Sequence, residues 1–190
     1  YGGESTSNYL QYPINEDNTK NIWRILGTYN GIGTKIVSNQ VSTTTKSTLS
    51  TDLTSFYNTL EKPDNYILAT DKFACTNTSC TSSSYSKVGL ISTSEYEMLG
   101  GINSYLASSE SYFALDNGTI KNITSGGIEE TSTTSGLRPA VYLQDYVTVT
   151  GSGTVSDPFK LKMPEYAVVL NVVNGSAALP SKMITRGENA

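Results

Sequence analysis

Two cysteines, a few carboxylates and two of the three arginines are the residues of this chain best equipped for chemistry, and histidine is absent. Without histidine, a Ser-His-Asp triad in its usual form is excluded. Glu95, Glu97, Glu129, Glu130, Asp145 and Asp157 are the acids set in patterned segments. A glycosidase needs two carboxylates roughly 5–10 Å apart across a cleft, and a single Trp suggests no aromatic-rich cleft. Asp116-Asn117-Gly118 and Asp157-Pro158 offer oxygens to calcium, but each is better explained as a turn. Cys75 and Cys80 enclose Thr-Asn-Thr-Ser, all turn-formers. Zinc requires three or four ligands, so a cysteine-based zinc site is nearly excluded, and a redox motif normally has tighter spacing. The pair reads as a local structural disulfide of an oxidising compartment, with two reduced, unrelated thiols as the alternative. These residues call for no catalytic group, no metal and no cofactor, and the chain is not expected to be an enzyme.

Arg138 is the charge of most interest. It precedes Pro139 at the mouth of a run, Leu137–Leu143, that is apolar on both faces and reads as a central core strand. Arginine is seldom buried without a partner. Arg138 therefore reads as a structural ion-pair partner of Glu95 or Glu97, and otherwise as an anion or carbohydrate anchor. Arg24 carries the same structural reading.

The elements that must position these residues follow from the pattern. Residues 1–7 are a flexible lead-in, and Asn8–Pro13 is a short strand followed by a polar loop. Asn21–Tyr29 and Gly33–Val37 are strands around Asn30-Gly31, a type I′ hairpin signal. Residues 38–51 read as a loop. Asp52–Leu60 reads as a short helix capped by Asp52 and ended at Lys62-Pro63. Asn65–Thr70 and Ser86–Ile91 read as strands flanking the cysteine loop. Ser92-Thr-Ser-Glu-Tyr-Glu-Met-Leu-Gly-Gly101 is a second short helix, its capping box either Ser92 with Glu95 or Ser94 with Glu97, stopped by the glycines. Ser111–Leu115 and Thr119–Ile123 flank Asn117-Gly118, a second hairpin signal. Residues 125–135 are a loop, and Val147–Leu161 is a closing hairpin.

Composition bounds the rest. The chain has 190 residues, enough for one domain plus an appendage. Charged residues are 16%, below the ~25% usual in soluble domains, and Ser and Thr fill the gap. Thirteen tyrosines stand against the one Trp. Such a hydroxyl- and tyrosine-rich surface is associated with secreted and cell-surface β-rich proteins. Net charge is −4 without a Lys/Arg cluster, which sets nucleic-acid binding aside. No apolar run approaches the ~18 residues of a membrane span. The opening Tyr1-Gly-Gly-Glu4 carries no signal peptide, so any leader or anchor is expected to be removed or to lie outside this sequence. Met163-Pro164 marks the edge between a main domain, 8–162, and a β-rich tail, 163–190. Glu165–Val173 alternates cleanly, and its strand residues Ala167, Val168, Val169, Leu170, Val172 and Val173 are expected to add to the main sheet, to begin a second repeat that is cut short, or to pair with another chain.

Laid out in order, several segments resemble a family of domains from surface and secreted proteins of low-GC Gram-positive bacteria. They are Trp23-Arg24-Ile25-Leu26-Gly27, Phe56-Tyr57-Asn58, Lys87–Tyr96, Gly100-Gly101 with Asn103–Leu106, Tyr112-Phe113, Gly136-Leu-Arg-Pro-Ala-Val141 and Val147–Phe159. Ala114 stands where that family commonly has Trp, which reduces any aromatic surface there. The resemblance implies an α+β fold: a mainly antiparallel twisted sheet with two short helices and long loops, similar to C-type lectins and formylglycine-generating enzymes. The Glu-Pro-Asn, Gln-Pro-Asp and Trp-Asn-Asp signatures of calcium-dependent sugar sites do not occur, and the cysteines do not match the enzyme branch. The tail is similar to the opening of bacterial Ig-like or mucin-binding-type repeats, in Val168–Gly175 and Lys182–Ala190. The function implied is a non-enzymatic structural or adhesive module of a surface protein or pilus-like filament, extracellular, whose partners are other copies of itself or adjacent domains of a longer chain. The alternative is a glycan- or host-protein-binding adhesin domain.

Overall fold

A computed structural model of the chain describes residues 7–12, 22–76, 79–163, 165–168 and 182–185. The fold is α+β, built on two main sheets rather than the one expected. The first has six strands: β1 (Tyr9–Gln11), β2 (Ile22–Tyr29), β3 (Gly33–Ser38), β11 (Ala140–Leu143), β12 (Thr148–Thr150) and β13 (Phe159–Lys162), in the order β11-β3-β2-β1-β13-β12. The second has five: β4 (Ser42–Thr45), β7 (Tyr112–Asp116), β8 (Thr119–Thr124), β9 (Gly127–Glu129) and β10 (Thr134–Leu137), in the order β4-β10-β7-β8-β9. Pairing is antiparallel except at β1–β13 and β7–β10. Cys75 and Cys80 face each other on a small ribbon of β5 (Ala74–Cys75) and β6 (Cys80–Thr81). A further ribbon pairs β14 (Glu165–Val168) with β15 (Lys182–Thr185).

Helix α1 (Leu49–Thr59) starts earlier than its apolar spacing suggests, from Thr48 rather than Asp52. Asp52 lies in the first turn, where it accepts from Thr44 Oγ1 (2.5 Å) and Thr48 Oγ1 (2.8 Å). The chain does break at Lys62, which adopts a left-handed φ of 44°. Pro63 then opens a second short helix, α2 (Pro63–Tyr66), since a first-turn proline gives up no intrahelical bond. Helix α3 (Thr93–Met98) takes the Ser92/Glu95 box: Ser92 Oγ accepts from Glu95 N–H at 3.1 Å, and Glu95 Oε2 accepts from Ser92 N–H at 2.7 Å.

The run Leu137–Leu143 is not one central strand. It breaks at Arg138-Pro139, which carries the chain from β10 in the second sheet to β11 at the edge of the first. β11 is nevertheless buried along its length. Its outer edge is covered by Gly89, which exchanges two backbone bonds with Ala140, and by Leu68, whose N–H donates to Tyr142 O. The segments expected as strands at 65–70 and 86–91 are these covers, making single bridges only. A Cβ on Gly89 would stand 2.5 Å from the Phe73 ring, so the close approach there requires glycine.

Trp23, Ile36 and Val141 lie in one apolar cluster with Leu49, Leu53 and Tyr57 of α1. Val37 and Ala140, pointing the other way, cluster with Ile91, Tyr96, Tyr105 and Tyr112. Both faces of the six-stranded sheet are thus covered, which is why its central strands read as apolar on both sides.

Candidate functional site

Lys35 sits on β3 and is fully buried. Between Ile25 and Gly27 the register of β2 against β3 shifts by one residue. This bulge moves Gly27 and Tyr29 onto the same face as Lys35, which a regular strand would not do. Across β3 on its other side, Tyr142 of β11 is the direct partner of Lys35. Glu95, fixed by its capping box, projects from the first turn of α3 to meet them.

Lys35 Nζ lies 2.8 Å from Glu95 Oε2, and both side chains are 0% exposed. Tyr29 donates its hydroxyl to Glu95 Oε1. Lys35 also donates to Phe73 O at 3.4 Å and approaches Cys75 Sγ at 3.7 Å. The Tyr142 hydroxyl lies 3.2 Å from Cys75 Sγ and 3.5 Å from Cys80 Sγ, and donates to Lys72 O at 2.8 Å. The rings of Tyr29 and Phe73 pack against that of Tyr142, with centroids 6.0 and 5.5 Å away. Burial pushes the Lys35 pKa down, opposed by the Glu95 carboxylate. Burial, with the Glu95 charge added, drives the Tyr29 and Tyr142 hydroxyls far above the ordinary phenol range. The cluster is therefore a dry ion pair, proton-rich around one carboxylate, placed against a disulfide.

The Cys75–Cys80 disulfide is formed. Glu95 engages Lys35, not Arg138, and Glu97 is exposed on α3, so the expected Arg138 pairing is corrected. Arg138 is only 3% exposed, but its partners are backbone carbonyls. Nε donates to Ser38 O (2.8 Å), Nη1 to Leu106 O (2.8 Å) and Nη2 to Tyr105 O (3.3 Å). A guanidinium fork suits three converging carbonyls, of which Leu106 O also accepts from the Tyr112 hydroxyl. Arg24 likewise takes no carboxylate among the described residues. Its Nε donates to Asn8 Oδ1 at 2.6 Å, and its guanidinium lies between the Tyr9 and Tyr105 rings, 3.8 and 4.3 Å from their centroids.

Three of the other nominated acids bond to near neighbours. Glu130 pairs with Lys121, Glu129 accepts from Thr124, and Asp157 accepts from Ser152 N–H. Asp116 accepts from Thr93 beside the Asn117-Gly118 turn. Of the nominated assembly residues, Ala167 and Val168 lie on β14, opposite Met183 and Lys182; Val169, Leu170, Val172 and Val173 fall outside the described residues. A cleft of about 130 Å³ lies beside Val41-Ser42, bounded by Trp23, Phe56, Ser38, Gln40, Leu137 and Pro139. A more open groove of about 300 Å³ shares Val41-Ser42 and is lined further by Thr43, Glu110, Ser111, Thr134 and Ser135.

Lys35 is the functional candidate that sequence reasoning missed. Its one signal was a cation in a strand whose next two residues, Ile36 and Val37, are apolar. No family model, no curated protein and no solved structure matches this chain.

Proposed function

We propose that the chain is a non-enzymatic structural module of an extracellular bacterial surface protein or pilus-like filament, assembled by strand addition through its C-terminal ribbon. The observation that carries this reading is β14–β15, a two-stranded sheet separate from both main sheets. An isolated two-stranded ribbon is marginal in water. Among the described residues neither strand pairs with a third, so both outer edges offer ladder groups to a neighbouring module or copy. The disulfide supports an oxidising, extracellular setting. The buried Lys35–Glu95 pair and the carbonyl-bound Arg138 support a rigid body. Kinship with the C-type-lectin group belongs to the same proposal and rests on the sequence resemblance.

Sedimentation of the intact chain at increasing concentration tests the assembly. Concentration-dependent oligomers are expected, lost in Val168→Pro, because proline removes a backbone donor from β14. A monomer at every concentration would sink the strand-addition reading.

The two clefts sharing Val41-Ser42 favour a second reading, a glycan-binding adhesin. Hydroxyl and amide groups beside Trp23 and Phe56 suit a small sugar unit. The test is a glycan array with Ser42→Trp, which fills the site. Binding unaltered by that change argues against it.

A further inference from the structure

The ammonium of Lys35 has three hydrogens and three acceptors around it. Glu95 Oε2 and Phe73 O take two, and the third acceptor is Cys75 Sγ. A disulfide sulfur is a weak acceptor, whereas a thiolate is a strong one. A buried lysine aimed at a disulfide therefore favours the reduced, charged form of that sulfur far more than the oxidised form. The Tyr142 hydroxyl, 3.2 Å from the same sulfur, is a second donor. Its hydrogen goes to Lys72 O while the bond is intact and is free to turn to a thiolate.

The two sulfurs differ in access. Cys75 is 2% exposed and Cys80 is half-buried. An incoming thiol thus has one sulfur to reach, and the other is the leaving group. The nearby charges do not cancel the effect. Glu95 shares the Lys35 ammonium with Cys75, so what Lys35 offers the sulfur is a directed hydrogen bond rather than a net charge, and the half-buried Lys72 and Asp71 pair with each other.

We propose that Cys75–Cys80 is an exchange-active disulfide that accepts thiol substrates at Cys80, with Lys35 and Tyr142 stabilising Cys75 as the departing thiolate. A substrate thiolate attacks Cys80 Sγ and forms a new S–S bond. The Cys75–Cys80 bond breaks, and its electron pair leaves on Cys75 Sγ. A second substrate thiolate attacks the substrate sulfur of the mixed disulfide and releases Cys80 as a thiolate, which takes a proton from water. The net result is two thiols oxidised to one disulfide and the protein disulfide reduced to a dithiol. A small thiol or an exposed cysteine on a neighbouring protein is the substrate class. This activity does not depend on how the C-terminal ribbon assembles.

The test is reduction of the intact, folded chain by glutathione, quenched in acid and mapped by mass spectrometry. Glutathione is expected on Cys80, with Cys75 as the free thiol. Because exchange accelerates as the leaving thiol's pKa falls, Lys35→Met is expected to slow reduction at least about tenfold. Tyr142→Phe keeps the ring, removes only the hydroxyl, and is expected to slow reduction several-fold. It preserves the test if Lys35→Met does not fold. Glutathione on Cys75 or shared equally between the sulfurs, a folded chain that resists reduction altogether, or a wild-type rate in Tyr142→Phe would each overturn the proposal.

Discussion

Lys35 and Glu95 form an ion pair with no exposed surface, and such pairs have an asymmetric energy. Taking two charges out of water costs several kcal/mol per ion, and their attraction offsets that only with good geometry and further hydrogen bonds. Those bonds come from Ser92 N–H, Tyr29 and Phe73 O. Removing one partner strands the other, so Lys35→Met or Glu95→Gln alone is expected to cost about 3–5 kcal/mol. The double variant should be less destabilised than the sum of the two, which denaturant titration of all three chains would establish. Arg138 has a different ledger, because its partners are uncharged. Arg138→Met removes the Arg138 donors of Ser38 O and Tyr105 O, while Leu106 O keeps the Tyr112 hydroxyl. At about 1–3 kcal/mol for each of these two groups, a loss of about 2 kcal/mol or more is expected in the same assay. Gly136 is constrained by space. A Cβ there would lie 2.1 Å from Val41 Cγ1 and 2.5 Å from Ser111 O. Gly136→Ala is therefore expected to lower stability by about 1–3 kcal/mol through overpacking.

At the scale of elements, α3 is where the chain states its own structure most clearly. Its capping box closes on Ser92 and Glu95, so Ser92→Ala is expected to cost about 1 kcal/mol. Glu97, exposed on the same helix, should tolerate Gln within about 0.5 kcal/mol. Thermal melts of the two single variants separate these outcomes. Local chemistry of this kind was legible: the two glycines after α3, the turn at Asn117-Gly118 with positive φ at both residues, and the closing β12–β13 hairpin all follow from short-range rules. The Asn30-Gly31 signal was read less well. Only Gly31 of that pair has positive φ, and Asn30–Ile32 form a three-residue connection instead of a type I′ turn. β4 was taken for loop because Ser42–Thr45 offers no apolar alternation. It forms at the margin of its sheet by backbone pairing with β10, which side-chain patterning does not record. Long-range facts were the least legible. The division of Leu137–Leu143 between two sheets, and the meeting of Lys35 with Glu95 across 60 residues, depend on a bulge at Leu26 and a crossover at Pro139. Neither has a periodic signature. The cysteine pair, at disulfide distance, was legible because its loop is short, while the side chains facing it come from two distant strands, β3 and β11.

At the scale of the whole molecule, tyrosine takes the place that Trp and Phe fill in other cores. Tyr12, Tyr96, Tyr112 and Tyr142 are among the largest fully buried side chains. Several tyrosine hydroxyls bind the layers together: Tyr12 donates to Glu61 O, Tyr112 to Leu106 O, Tyr105 to Ile25 O and Tyr57 to Asp64. Burial is the main cause that raises the pKa of nine of them, Tyr12, Tyr29, Tyr57, Tyr66, Tyr85, Tyr96, Tyr105, Tyr112 and Tyr142; Tyr105 is pushed up to about 12. The folded chain therefore keeps phenol protons that the unfolded chain releases above about pH 10. More protons on the native state means that stability falls as pH rises. The tyrosine contribution is complete below about pH 10 and is lost progressively above it. Lys35 works in the opposite sense. Its lowered pKa means that the unfolded chain binds the extra proton between that value and 10.5, so stability gains there before the tyrosines reverse it. With nine tyrosines against Lys35 and Arg24, whose pKa burial also lowers, the alkaline limb should be steep. Denaturant midpoints followed upward from neutral pH should hold or rise slightly, then drop sharply beyond about pH 10. Phenolate absorbance should appear together with unfolding rather than before it. If most tyrosines ionise while the chain remains folded, these hydroxyls are not the groups that hold the layers together.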